Sequence, residues 1–560
     1  MMAPEPPRGN GAIPSCVDCV YKERMALSIL FALATAYFVT PAAVQQVPAE
    51  ALFLPAPVDA LGTIDPDPTF AEHSLVAVRS ELFTAARTID AGHVLVLALD
   101  LEAGVREDAR FEQREILSSG AVAITGTLAG SPQSRVTIVQ RDGVTSGTVR
   151  DGSRLYKLNW AGAGWHWIAR IDEDRFPPCA NGAEHAVVGH AETEPASTGG
   201  YLANPNPTID VLVVYTPLAR QNAGGTAAIE SLIDLAVLET NQAYINSQVA
   251  QRLRLVRQEE LVGYVENGGF STELNRLTDP SDGQIDSVHA LRNQYGADEV
   301  AMIINGNSAC GIAWLMTTLS TGFEDRAFSV TSKQCATGYY SFAHELGHNM
   351  GSHHDHANAS GALYPYSYGY RTVSGNNRTI LAYAPGTRIQ YFSNPNVTFQ
   401  GEVLGVPEGQ PGEAENWKSL NNTATTVAKF RCAIPAPYGS GKVTSVGSTP
   451  SLSWTNTPSV AANNFRVQVS GAMPNKVGLV FRGTQTNASP FLGGTLWVGG
   501  AIVRLPALTN NAGGAADFAF PLGTLAVGDV VYAQHWGRDP QHTDGFGVSL
   551  SNALRIDICP

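Results

Sequence analysis

The spacing of hydrophobic and polar positions changes along this chain, and each change marks a stretch with its own expected architecture. Between about residues 70 and 178, apolar residues fall in runs of strand length, among them 94–101, 122–128 and 135–140. Asp142-Gly143 and Asp151-Gly152 separate such runs, and Asp-Gly is the favoured chemistry of tight hairpins. A β-rich domain is expected there. From 207 the pattern becomes mixed. A strand over 209–215 precedes a helix with Thr226 as N-cap and Ile229, Leu232, Ile233, Ala236 and Val237 in a 3.6-residue rhythm. A strand at 253–257, a helix through Ile285, Val288 and Leu291, and a strand at 300–304 follow, which is an α/β alternation. A closing helix is expected over 413–430. Beyond Cys432, proline- and glycine-rich residues mark a boundary. Short alternating runs at 465–469, 477–482, 495–498 and 527–534 then predict a small all-β sandwich over 433–560.

Composition narrows the classes. At 560 residues the chain is too long for one core, and length suggests about three or four domains. Apolar residues make up 44% and charged residues only 15%, which indicates globular material. A net charge of −14 argues against nucleic-acid or anionic-membrane partners, since either would want a basic patch. Lys22 and Arg24 precede an apolar run, 25–39, too short to span a bilayer comfortably, and small residues follow at Thr40, Ala42 and Ala43. Residues 1–43 are therefore expected to be a signal peptide with an N-terminal extension, and the mature protein to be secreted. Cys16 and Cys19 form a C-x-x-C upstream of that cleavage site and have no partner pair.

The densest chemistry lies in residues 344–355, His-Glu-Leu-Gly-His-Asn-Met-Gly-Ser-His-His-Asp. His344 and His348, four apart, share a helix face and can hold one metal ion. Glu345 lies within reach of a water at that metal. Gly351 permits a positive φ that ends the helix and swings His354 in as third ligand, leaving His353 as a bystander. Three protein ligands leave a coordination position open, as catalytic Zn2+ sites do. A structural Ca2+ has no support in the sequence.

This motif resembles that of the metzincin metalloproteases, and Asp355 resembles the adamalysin (reprolysin) branch. The segments 337–342 and 387–395, with 233–236 on the first helix, look like bacterial peptidyl-Asp metalloendopeptidases. The similarity covers about 207–432, the expected catalytic domain. One position departs from the clan: Leu381 stands where metzincins carry a methionine beneath the metal. That swap roughly conserves volume, at under about 1.5 kcal/mol. The resemblance implies several roles. Tyr383 would stabilise an oxyanion, and Gly311, Ile312 and Ala313 would form the edge strand that binds an extended peptide. It also implies cleavage on the amino side of Asp or Glu, for which Arg388 would supply a cationic wall.

Five cysteines remain after signal removal, and export permits disulfides. Cys310 and Cys335, both before the active-site helix, form the expected pair. Two readings stand at Cys179. It could block the metal, as the cysteine switch of matrix metalloproteases and adamalysins does, which would make 44–180 a propeptide and 181–206 a maturation region. Or it could pair with Cys432 or Cys559. The expected activity is zinc-dependent endopeptidase action on proteins or peptides. The rivals are an adhesion or matrix-binding protein with a degenerate protease domain, and a zinc hydrolase of a non-protein substrate. For the C-terminal module, a carbohydrate or matrix ligand stays open.

Overall fold

Hairpin chemistry builds the N-terminal sheet. Asp142 and Gly143, at φ 47° and 83°, connect the strand Ser131–Arg141 to Val144–Asp151. Positive φ at both central residues is what a type I′ turn requires. The second expected turn is displaced by one residue. Asp151 stays in the ladder opposite Arg154, so the loop is Gly152-Ser153, and the Asp151 carboxylate accepts the Ser131 hydroxyl at 2.7 Å. A computed structural model describes residues 49–84, 94–179 and 207–559. The signal-like segment, Cys16, Cys19 and the expected maturation region 181–206 fall outside them.

Ten strands form this sheet, all neighbours antiparallel except Glu50–Ala51 beside Leu95–Glu102. Its strands share one apolar core that includes Val76, Leu97, Phe111, Ile124, Ile138 and Ile168.

The α/β stretch folds as its alternation predicts. Strand β1 (Thr208–Tyr215) is flanked by β2 (Arg252–Glu260) and β3 (Glu299–Ile304). Beyond β3 lie β5 (Phe328–Ser332) and, at the edge, β4 (Gly311–Ala313). The first four pair in parallel; β4 alone runs antiparallel. β1 and β3 are near-continuous apolar runs because both sheet faces are covered.

Helix α1 (Pro217–Ala223) is capped by the Thr216 hydroxyl and ends at Gly224 and Gly225, both at positive φ. Helix α2 (Thr226–Asn246) starts directly after them. Gly225, not Thr226, is therefore its N-cap, because the two glycines reverse the chain before any side chain can cap. Ile229, Ile233 and Ala236 pack on the α/β core, and Leu235 packs on Ala121, Ala123 and Val139 of the N-terminal sheet. Helix α2 is thus buried between two sheets. Helix α3 (Ser341–Asn349) carries the histidine motif and α4 (Asn416–Val427) closes the region. α4 starts later than expected because Ala414 pairs with Val406.

In the C-terminal region a six-stranded and a three-stranded sheet share a core of Leu452, Val467, Val480, Phe518, Val531 and Leu554. Trp497 and Trp536 are half-buried there, and the Trp497 indole donates to the Ser440 carbonyl at 2.9 Å. Disulfides join Cys310 to Cys335 and Cys432 to Cys559. The second pairing removes the reading in which Cys179 bonds either Cys432 or Cys559: Cys179 is a buried free thiol. No helix among the described residues is long and apolar enough to cross a membrane.

Candidate metal centre and substrate cleft

Helix α3 is pinned before it presents anything. The Asn349 side-chain amide donates to the carbonyls of Trp314 (2.8 Å) and Phe328 (3.2 Å), tying the helix end to the sheet edge. Gly351, at φ 80°, turns the chain, and the Gly351 and Ser352 N–H groups close the helix on His348 and Gly347. This brings His353–Asp355 back beneath the helix as a short strand.

The three Nε2 atoms then converge. His348 lies 3.1 Å from His344 and 3.0 Å from His354, with 3.2 Å between His344 and His354. The Nδ1 atoms of His344 and His348 face the carbonyls of Ile380 and Ser352, each at 2.8 Å. A carbonyl only accepts, so both Nδ1 atoms carry the proton and both Nε2 lone pairs face inward. Unprotonated nitrogens that face one another repel unless a cation lies between them. The spacing also suits one: metal–nitrogen bonds of about 2.0–2.1 Å at tetrahedral angles place nitrogens about 3.3 Å apart. The donor set fits a divalent metal.

His353, the spare, aims elsewhere. Its ring lies nearly parallel to Tyr368, with centroids 6.1 Å apart.

Glu345 is buried, with one carboxylate oxygen unpartnered, and burial pushes its carboxyl up to about 8 against the pull of Arg388. Gly311 of the edge strand leaves the space for it: a Cβ there would fall 2.4 Å from Glu345 Oε1. Cys179 lies on the same side, with its sulfur within 4.8 Å of ligand atoms of His344 and Glu345. Burial and the Glu345 carboxylate raise that thiol to about 11. Just before it, the Pro178 carbonyl accepts the Cys310 N–H at 3.0 Å, so the tail of the N-terminal domain runs beside the edge strand.

Leu381 sits under α3. A Cβ on Gly347, between the two helical ligands, would meet Leu381 Cδ2 at 3.2 Å. The turn around it, closed by Ala382 N–H on the Thr379 carbonyl, also supplies the Ile380 carbonyl that orients His344. Tyr383 follows, its ring centroid 4.2 Å from that of His354 and its hydroxyl buried without a partner. Burial raises this phenol far above its usual range.

A cleft of about 1120 Å3 opens beside these groups, lined among others by Cys179, Tyr339, Arg378, Tyr383 and Arg388. Arg388, expected as a cationic wall, is buried here. Tyr339 and Arg378 were not singled out from sequence. Tyr339 falls within one of the segments that carry the family resemblance, whereas Arg378 sits in a two-residue strand, Asn377–Arg378, too short to leave a periodic signal.

A histidine cradle fitted to a metal, with a buried carboxylate and an antiparallel sheet edge beside it, suits a metallopeptidase. Residues 206–406 match the family described as metallo-peptidase family M12B, reprolysin-like. A peptidyl-Asp metalloendopeptidase of Xanthomonas campestris pv. campestris is 39% identical over 319 residues, covering 54% of this chain and 72% of that protein. One from Stenotrophomonas maltophilia is 37% identical over 335 residues, covering 56% and 75%. A third, from Pseudomonas fragi, is 32% identical over its whole length, which corresponds to 34% of this chain. The chain belongs to this reprolysin-like family of metalloendopeptidases.

Proposed function

We propose that this metalloendopeptidase is a secreted zinc enzyme, made as a zymogen, that cleaves on the amino side of Asp or Glu. The observation that carries the reading is the convergence of three imidazole nitrogens beside the unpartnered Glu345 oxygen. His344, His348 and His354 would hold zinc, which supplies Lewis-acid polarisation of the scissile carbonyl and of a water. Glu345 takes the proton of that water as it attacks, then delivers it to the leaving amine. The Tyr383 hydroxyl, buried and without a partner, donates to the carbonyl oxygen as charge develops on it. Gly311, Ile312 and Ala313, on the antiparallel edge strand, hold the substrate backbone extended.

The acidic preference follows the name of the relatives, peptidyl-Asp metalloendopeptidase, and the cationic Arg388 in the cleft. Latency rests on Cys179, whose sulfur lies within 4.8 Å of ligand atoms of His344 and Glu345. Residues 1–43 would direct export, 44–180 would be the propeptide, 181–206 the maturation region, 207–432 the catalytic domain and 433–560 an accessory module.

Four measurements test this together. Metal analysis of the purified protein should return one zinc per chain, and N-terminal sequencing of the secreted form should begin within 181–206. Peptide-library cleavage should show Asp or Glu after the scissile bond. A full-length Cys179→Ala variant should be active before processing; a fully latent one would remove the thiol from the latch.

A further inference from the structure

The cleft beside the metal centre is lined by two guanidinium groups of the catalytic region, Arg378 and Arg388, whereas its carboxylates, Asp172, Glu173 and Asp174, all come from the N-terminal domain, where Asp172 pairs with Arg175 and Glu173 with Arg150. Arg388 is buried, and one of its terminal nitrogens donates to the Tyr339 carbonyl (3.1 Å) and the Ser341 hydroxyl (3.4 Å). Its Nε is buried with no partner at all. Arg378 spends its donors on the carbonyls of Gly386 (2.8 Å) and Ala382 (2.6 Å) and on the Tyr339 hydroxyl (2.9 Å). Neither arginine forms an ion pair with a carboxylate among the described residues.

Tyr339 joins them. Its ring lies under the Arg388 guanidinium at 4.4 Å, its backbone carbonyl holds the same group, and its hydroxyl is held by Arg378, whose guanidinium is 5.5 Å from the ring. A planar fork fixed on an aromatic face has its remaining N–H groups pre-aimed, which suits a carboxylate. Other arginines, the half-buried Arg254 and the buried Arg292, solve the same problem internally. Arg254 pairs with Asp210, and Arg292 spends its donors on three backbone carbonyls. Arg388 does neither, and its open side faces the cleft where Cys179 lies.

We propose that Arg388, Tyr339 and Arg378 act as one carboxylate-reading unit for the residue after the scissile bond. Arg388 contacts the substrate carboxylate. Tyr339 is the plate that sets its plane, and Arg378 is a positioning residue that locks Tyr339 and adds a second positive charge. The proposal rests on the acidic preference proposed above and names the residues that enforce it beyond Arg388. In the unprocessed chain the Cys179 side chain occupies this wall, so removal of the propeptide tail would uncover the unused donors.

The test uses mature, zinc-loaded enzyme and two peptides identical except for Asp or Asn after the scissile bond. Asn keeps the shape and removes the charge. Wild type is expected to favour the Asp peptide by about 100-fold in kcat/KM. Arg378→Gln should cut that ratio about tenfold or more, through KM for the Asp peptide. Tyr339→Phe, which deletes only the hydroxyl that Arg378 holds, should fall between the two. Affinity of the Glu345→Gln protein for the Asp peptide, measured by calorimetry without turnover, should drop in parallel when Arg378→Gln is added. If wild type cleaves both peptides equally, the acidic preference itself fails. If wild type discriminates while Arg378→Gln and Tyr339→Phe, folded to wild-type Tm, keep the full ratio, the unit is overturned and Arg388 reads alone. Should Arg378→Gln not fold, Arg378→Lys and Tyr339→Phe decide by the same ratio.

Discussion

The Asp355 carboxylate accepts the backbone N–H of Tyr383 at 2.9 Å, which ties the residue after the third histidine to the turn beneath the metal centre. The same carboxylate takes the Asn358 amide at 2.9 Å and Arg371 at its other oxygen, and it is buried. It therefore sets two things at once: the strand that presents His354 and the position of the Tyr383 ring. Asp355→Ala would leave the Tyr383 N–H and Arg371 without their acceptor, a cost of about 1–3 kcal/mol for each buried group left unsatisfied. Metal affinity should fall about 10–100-fold, the usual penalty for losing a group that orients a ligand. Titration with a competing chelator measures the affinity and thermal unfolding the stability. Unchanged values for both would show that Asp355 is a spectator.

Glu345 offers a cleaner separation of binding from chemistry, because it lies beside the histidine cradle and is not one of its three nitrogens. Glu345→Gln should keep full zinc content and lose about 10²–10⁴-fold in kcat, the span that a positioned general base contributes. The Gln amide fits the space that Gly311 leaves, so the fold should be undisturbed. Near-wild-type turnover in a zinc-loaded variant would refute the proposed role.

Which parts of this molecule are legible in its sequence follows from how far apart the interacting residues lie. The histidine cradle is local: His344 and His348 share one helix, and Gly351 returns the chain so that His354 meets them within eleven residues. The rhythm of α2 likewise predicts the face carrying Ile229, Ile233 and Ala236. Its other face was not legible. Asp234 and Glu239 look like solvated residues, yet they are buried against Arg141 and Thr148, 93 and 91 positions upstream. The Cys432–Cys559 pairing spans 127 residues and has no local signature either. The Tyr339–Arg378 clamp joins a loop to a two-residue strand whose approach is set by tertiary packing, so no periodicity announces it.

Leu381 tests how much of the centre depends on shape alone. It is buried against Gly347, and the departure from the methionine of the wider clan concerns an apolar filler, not a ligand. Leu381→Met should cost under about 1.5 kcal/mol and leave kcat/KM within a few-fold. Leu381→Ala should cost about 2–5 kcal/mol and loosen the floor under both helical ligands, so zinc should be lost faster. Stability comes from denaturant unfolding and zinc release from a chromogenic chelator. A Met variant that loses its metal would mean the floor is specific in more than volume.

The contact between the N-terminal sheet and α2 should respond to pH, with a sign set by buried acids. Burial raises the Glu239 carboxyl to about 7, even though Thr148 donates to it at 2.6 Å and the Gly338 N–H at 2.8 Å. Asp234 is raised to about 6, again by burial, in spite of Arg141 at 3.1 Å. Once the sheet separates, both groups return to water and to the ordinary carboxyl range near 4. The docked state therefore binds protons more tightly than the separated one. Its stability contribution is fully present below about pH 4 and is lost progressively as pH rises to about 7. After the linker is nicked, the N-terminal fragment should dissociate more readily at pH 7 than at pH 5, as followed by size-exclusion chromatography or surface plasmon resonance. Glu239→Gln, which cannot ionise, should flatten the upper part of that dependence. Tighter association of the wild-type fragments at pH 7 than at pH 5 would reverse the sign and show that the Arg141 charge dominates this interface.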